Sequence, residues 1–536
     1  MTQEQIRKIE KELWDAADAL RANSKLTAAE YKDPVLGLVL LRFAQNKYEE
    51  AQPIVDSRIP EGPRGKRAAT KEDFLAAGAI MLPNEAKYEY LAGLPESVDI
   101  AEAINNAMKV IEAEYPDLQG NLPKNYQEFE SDLLRELIRI FNKDAVKKAT
   151  GDVFGRIYEY FLMKFSMQGA GAQEGGEFFT PPSLVQLIVN FIEPDHGIIH
   201  DPACGSGGMF VQTGYFVKDH TKKEINEAIT CYGTELKTNN TRLAKINLAI
   251  HGIEGKIIEA NSFYNDPHGL VGKCDFVMAN PPFNVNKVDK GKDYVKTDPR
   301  LPFGLPKSDN GNYLWMQYFF SYLNPTGRAG FVMASSATDA GHSEKLIRQQ
   351  LIESGAVDCI VSVGNNFFYT RSLPCHVWFF DKGKAAYPSV SLSTVEDKAL
   401  NGPNTILMID ARNVFRKVNT TINDFSPEQL EGLTAIIKLY RGETPEVAKD
   451  NSWFNAQFPD GSYRDVEGLC KVVSLDKVKE SDWSLTPGRY VGVTLREDGD
   501  FDYKARLEEI QEELEVLNAE AEVLSKVIAV NLGDLR

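Results

Sequence analysis

Apolar residues recur at helical spacing along the first part of the chain. Ile6, Ile9, Leu13, Ala16 and Leu20 fall three or four positions apart, which predicts an amphipathic helix. A second apolar helix is expected over about 35–48. The stretch 52–71 breaks this pattern with Pro53, Pro60, Gly62, Pro63 and Gly65. It also carries Arg58, Arg64, Lys66, Arg67 and Lys71, so it reads as an exposed mobile loop, either simply solvated or touching a phosphate backbone. Helices are expected to resume over about 97–148.

From 151 the texture changes. A helix is expected over about 153–165, then a glycine-rich segment at 169–176, then a helix after Pro182. Short β-like runs follow at 197–201, 230–235, 256–260, 275–280, 330–334, 357–363 and 376–381, separated by helical stretches. Strands alternating with helices predict a doubly wound, mainly parallel α/β sheet. Residues 385–480 read only as an extension of it. In the tail, Leu507, Ile510, Leu514, Leu517, Ala521, Leu524 and Ile528 alternate spacings of three and four, a coiled-coil-like seam. Such a seam either folds onto its own protein or pairs with another chain. The expected divisions are an all-helical domain at 1–150, a catalytic α/β domain at 151–480 and a helical docking region at 481–536.

Composition adds constraints. With 536 residues, 43% of them hydrophobic, the chain can bury large cores without a disulfide or metal staple. Its net charge of −17 argues against an autonomous basic DNA-binding domain but leaves room for a local basic cleft. Residues 497–536 alone carry 12 acidic and 4 basic side chains. The loop 284–313 is mildly positive, with Lys287, Lys290, Lys292, Lys296, Arg300 and Lys307. No two of the six cysteines are three apart, which excludes CxxC redox and zinc-ribbon patterns. Scattered cysteines and the lack of an apolar signal core predict a soluble, cytoplasmic protein without a membrane span.

Three segments carry the candidate chemistry. Asp201-Pro-Ala-Cys-Gly-Ser-Gly-Gly-Met-Phe210 follows a predicted strand and precedes a helix. Its glycines permit a sharp turn and close approach to a ligand, although such turns are often structural. It is neither a P-loop nor a GxGxxG turn, since Phe stands at 210. Glu235 ends the next predicted strand, where a carboxylate can accept both ribose hydroxyls or be an ordinary surface acid. Asp275-Phe-Val-Met-Ala-Asn280-Pro281-Pro282-Phe283 then ends a strand in an amide, two prolines and an aromatic. The Asn280 amide oxygen and Pro281 carbonyl can both accept from one amino group, and Phe283 offers a stacking face. A rigid strand-to-loop turn is the alternative. A cysteine nucleophile at Pro374-Cys375 is disfavoured, because Cys375 leads into the apolar run 377–380 and reads as a buried thiol. Cys204 reads as a small loop residue.

Together these segments resemble the amino-group methyltransferases that use S-adenosylmethionine. With Gly176-Glu-Phe178-Phe179-Thr180-Pro181 upstream, the chain resembles the DNA adenine methyltransferase subunits of type I restriction–modification systems. Residues 175–283 carry the tight match. The segments 247–252 (NLAIHG) and 484–491 (SLTPGRYV) also look familial. The resemblance implies a Rossmann-like methyltransferase sheet and direct methyl transfer from S-adenosylmethionine to a flipped-out adenine of double-stranded DNA. It implies that Phe178, Phe179 and Thr180 line the methionine end of the cofactor. Asp201, Gly205, Ser206 and Gly207 would shape the loop around it, Glu235 would bind its ribose, and Asn261, Ser262 and Phe263 would meet its adenine. Asn280, Pro281 and Phe283 would hold the target base. The family usually has Asp where Asn261 stands, and Pro-Asn where Ser335-Ser336 stands. Implied partners are a specificity subunit that reads the sequence, with two methyltransferase subunits clamping the DNA, and a separate restriction and translocation subunit. Rival readings are methylation of RNA or of a protein glutamine amide, or an inactive scaffold of a defence complex.

Overall fold

Nine strands form one sheet, and their order brings the candidate segments together. The strands are β1 (Gly197–Asp201), β2 (Ile229–Glu235), β3 (Gly255–Glu259), β4 (Cys274–Ala279), β5 (Leu323–Ala334), β6 (Val357–Val363), β7 (Cys375–Asp381), β8 (Thr405–Ala411) and β9 (Cys470–Ser474). Across the sheet they run β9-β8-β6-β7-β5-β4-β1-β2-β3. β7 and β9 are antiparallel to their neighbours, and every other pairing is parallel. This computed structural model describes residues 3–492 except 23, 63–64, 150–156, 159, 162–163, 166–179, 307–310, 369–372, 389–400 and 419–421. The 507–528 seam, the 169–176 segment, Phe178 and Phe179 therefore lie outside the described residues.

The central strands β6 and β7 are buried on both faces, as a sheet covered on both sides requires, while the edge strand β3 is mostly exposed. Alternate residues point into opposite layers. Val377 and Phe379 of β7 enter one core, while Trp378 and Phe380 enter the other. The first core is closed by α5 (Pro182–Ile192), α6 (Gly208–Thr221) and α10 (Pro427–Arg441); the second by α8 (Asn312–Tyr322) and α9 (His342–Glu353). All seven expected runs are strands. The 385–480 extension contributes β8, β9 and α10.

The N-terminal region is helical, with α1 (Gln3–Ala22), α2 (Ala28–Arg58), α3 (Ile100–Glu114) and α4 (Ser131–Phe141) as its longest helices. α2 starts in a capping box: Thr27 Oγ1 accepts from the Glu30 N–H, and Glu30 accepts from the Thr27 N–H. Its middle, including Val35, Leu38, Val39 and Phe43, is buried on nearly every side. Ile157, Tyr158, Phe161 and Phe165 join the same core, with Phe161 and Phe165 edge-on to Trp14.

The loop expected at 52–71 is corrected here. α2 continues through Pro53 to Arg58, a two-residue hairpin pairs Glu61 with Lys66, and helix returns at Lys71–Leu75 rather than near 97. An internal proline costs about 3 kcal/mol. Ala51, Val55 and Ile59 bury against Phe74 and Ala79, and at roughly 1.5–3 kcal/mol per large aliphatic side chain this offsets it. The basic residues there bind their own chain: Arg67 forks onto Asp73, Arg58 donates to the Ala76 carbonyl and Lys66 to that of Asp56.

Candidate functional site

In an open α/β sheet the ligand crevice lies where the strand order reverses, beyond the carboxyl ends of the strands. Here β2 and β3 lie on one side of β1, and β4 and β5 on the other. The reversal falls between β1 and β4, which end in Asp201 and Ala279. Asp201-Pro-Ala-Cys-Gly and Asn280-Pro-Pro-Phe are the loops that leave those two ends.

The glycine loop is held by its neighbours. Asp201 is buried and accepts from the Ala203 N–H at 3.0 Å. The Cys204 N–H donates to the Thr234 carbonyl of β2 at 3.1 Å. Gly205 and Gly207 have φ of 53° and 76°, the left-handed region that glycine adopts without penalty. A Cβ at Gly205 would meet no atom within 4 Å, whereas at Gly207 it would lie 2.7 Å from Leu248 Cδ1. The backbone thus borders open space at Gly205 and close packing at Gly207.

Glu235 ends β2 and binds the same loop. Its Oε2 accepts from the Gly205 N–H at 3.0 Å and its Oε1 from the Lys237 N–H at 2.9 Å. Burial, with the Glu235 charge adding to it, pushes the Asp201 carboxyl up to about 8. Burial thus favours the protonated form of Asp201. Leu236, next in sequence, is 56% exposed, an uncovered hydrophobe beside the carboxylate.

The turn after β3 closes this end. Ser262 Oγ donates to the Pro202 carbonyl at 2.6 Å. Asn261 Oδ1 accepts from the Phe263 N–H at 3.0 Å, a local turn that an aspartate would make equally well. Phe263 is buried against Trp315, with ring centroids 4.6 Å apart.

Asn280 Nδ2 donates to Thr180 Oγ1 at 2.9 Å. Pro281 is buried. Phe283 is 8% exposed and edge-on to Phe368, at 6.1 Å. Asn312 fastens the next residue: its Oδ1 accepts from the Asn284 N–H and its Nδ2 donates to Asn284 Oδ1. Cys375 is buried at the start of β7, and burial raises its thiol pKa, so it is unsuited to nucleophilic attack.

Arg300 reads in sequence as one of the basic residues of the loop after Asn280-Pro-Pro-Phe283, and the structure corrects this. It is 2% exposed, pairs with Asp298, and donates to the Ser262 and Asn265 carbonyls and to Tyr322 Oη. A buried guanidinium needs such partners. Leu236, Asn247 and Asn312 border the site with no individual role legible from sequence, and Arg300 is legible there only as a basic loop residue. For Asn247 a signal existed, since it opens the NLAIHG segment.

The arrangement is a doubly wound α/β enzyme domain whose crevice is flanked by a glycine loop, a strand-end carboxylate and an Asn-Pro-Pro-Phe turn. The N-6 DNA Methylase family matches residues 149–499, and the HsdM N-terminal domain family matches residues 9–141. The MjaIX type I restriction enzyme methylase subunit of Methanocaldococcus jannaschii is 33% identical, over 96% of this chain and 89% of its own. The HindI type I methylase subunit of Haemophilus influenzae is 31% identical, over 81% of this chain and 93% of its own. In fold, the chain matches a type I restriction–modification methyltransferase subunit from Streptococcus thermophilus with a TM-score of 0.67 at 20% identity, over 91% of this chain and 99% of that one. The chain belongs to the N-6 DNA methylase family, as an adenine-specific DNA methyltransferase of the type I restriction–modification class.

Proposed function

We propose that this chain uses S-adenosylmethionine to methylate the exocyclic nitrogen of an adenine flipped out of double-stranded DNA, at sites chosen by a partner specificity subunit. The observation that carries the reading is the convergence on one strand-order reversal of Glu235, bound to Gly205, and Asn280, bound to Thr180.

The residues fit the cofactor. Open space at Gly205 leaves room for a ligand against the backbone, Glu235 supplies a ribose acceptor, and exposed Leu236 supplies an apolar face for a ring. Asp201, Ser206, Gly207, Asn261, Ser262 and Phe263 complete that side, with Phe178, Phe179 and Thr180 assigned to the methionine end. Bound S-adenosylmethionine supplies an electrophilic methyl group.

The adenine amine is a poor nucleophile because its lone pair is delocalised into the ring. Asn280 and the Pro281 carbonyl would accept its two hydrogens and favour a more pyramidal nitrogen. They would also stabilise the positive charge that develops there, a preorganised electrostatic effect. Thr180 commits the Asn280 nitrogen, so the amide oxygen is the end that accepts. Phe283 would stack on the base, which must leave the duplex to be reached. Since Phe283 is buried here, edge-on to Phe368, base entry requires its surroundings to open.

Sequence choice is assigned to a specificity subunit, and DNA translocation to a restriction subunit. The net charge of −17 agrees with weak DNA affinity for the chain alone. The heptad spacing of 507–528 makes that stretch the docking candidate. Among the described residues no helix is long and apolar enough to cross a membrane. The test is transfer of labelled methyl by the purified chain, with and without a specificity subunit, to DNA, RNA and protein. Label in DNA only, and only with the partner, is expected; label in RNA or protein would overturn the reading.

A further inference from the structure

One buried side chain grips the glycine loop from outside its motif. Asn247 lies on α7 (Thr238–Ile250) and is 3% exposed. Its Nδ2 donates to the Ser206 carbonyl at 2.9 Å. Its Oδ1 is buried without a hydrogen-bond partner. A buried orphan acceptor is unfavourable, and an apolar side chain would avoid it, so packing does not account for an amide at this position. The bond to Ser206 does.

That bond acts where the loop is softest. Ser206 stands between Gly205 and Gly207, both in the left-handed region. A peptide flanked by two such glycines rotates at little cost unless it is tied. Fixing the Ser206 carbonyl fixes the following peptide, whose Gly207 N–H donates to the Cys204 carbonyl at 2.8 Å. On the other side of Ser206, the Gly205 N–H donates to Glu235.

Asn247 is itself rigidly held, because α7 is shared between two cores. Ala244 and Leu248 belong to the sheet core, while Ile246 and Ile250 belong to the N-terminal helical core. The His251 Nδ1–H donates to the Asn247 carbonyl at 2.7 Å, and the His251 ring packs on Phe43 of α2 at 4.7 Å. At Gly252 a Cβ would lie 2.4 Å from the Gly78 backbone, so the two bodies touch main chain to main chain.

We propose that Asn247 is a positioning residue for cofactor binding: by holding the Ser206 carbonyl it sets the glycine loop in its cofactor-accepting conformation. This rests on the reading of that loop as the S-adenosylmethionine cradle. Asn247 touches neither the cofactor nor the base in this account. Its loss therefore acts on cofactor affinity more than on the chemical step.

The test is calorimetric titration of S-adenosylmethionine into the full-length chain. Asn247→Leu keeps the branched shape and removes the donor. Its Kd is expected to rise about tenfold or more. In the assembled enzyme the KM for the cofactor should rise in parallel, with kcat at saturating cofactor changed less than threefold. Asn247→Ala carries the same comparison should Asn247→Leu melt early. A folded variant with Kd within twofold of wild type would overturn the positioning role alone. Absence of binding by the wild-type chain would overturn the cofactor reading, and this proposal with it.

Discussion

The side-chain amide of Asn280 donates to the hydroxyl of Thr180 across 2.9 Å, joining positions 100 residues apart in sequence. Thr180 opens the chain into α5, and Asn280 follows β4. The bond determines which end of the amide faces the amino group in the proposed reaction. Thr180→Val keeps the shape and deletes the acceptor. Single-turnover methylation should slow by up to about tenfold, the value of one such bond. An unchanged rate would show that the amide is oriented by other contacts.

Glu235 is bound by two backbone N–H groups, those of Gly205 and Lys237. Glu235→Gln removes the charge from an acceptor proposed to take ribose hydroxyls as well. Hydrogen bonds to charged groups contribute about 1.5–3 kcal/mol. Cofactor Kd, read by calorimetry, should rise by about 10–100-fold with the fold intact. A Kd equal to wild type would remove Glu235 from the cofactor site.

The two loop glycines should separate binding from stability. Gly207→Ala places a Cβ 2.7 Å from Leu248 Cδ1 at φ 76°, and should destabilise the chain by about 1–3 kcal/mol in thermal melting. Gly205→Ala at φ 53° meets open space, so it should melt closer to wild type yet bind cofactor poorly. The reverse order of melting temperatures would contradict the packing described.

Asp201 gives a pH signature. Burial first, and the Glu235 charge second, raise its pKa to about 8, against about 4 in an unfolded chain. Between these values the native state holds a proton that the unfolded state has released, so stability falls as pH rises. The contribution is complete below about pH 4 and lost once pH passes about 8. Asp201→Asn cannot titrate. Melting from pH 5 to 8.5 should therefore show the variant gaining on wild type up to about pH 8 and then holding level. A constant difference across that range would mean an unperturbed carboxyl.

Much of this arrangement is legible in sequence, for physical reasons. Strands covered on both faces read as short runs dominated by apolar residues, and those at 357–363 and 376–381 are of that kind. Loops leaving such strands inherit their position from sheet order, so Asp201, Glu235 and Asn280 stand out as strand-end polar residues. What escapes is decided by tertiary contact. Pro53 punctuates a sequence, yet Val55 and Ile59 beyond it have a hydrophobic partner in Phe74 that keeps the helix going. Arg300 looks like any loop cation until the carbonyls of Ser262 and Asn265 surround it. Asn247 and Asn312 act on loops 41 and 28 positions away, beyond the reach of periodicity or motif.

The central claim is that Asn280 takes part in methylating adenine in DNA. Its most direct test is nucleoside mass spectrometry of host DNA after expression of the chain with its specificity subunit, as wild type and as Asn280→Ala. The account predicts N-6-methyladenine with the wild type and none with Asn280→Ala, while calorimetry finds S-adenosylmethionine binding retained in the variant. Undiminished N-6-methyladenine from Asn280→Ala would contradict it.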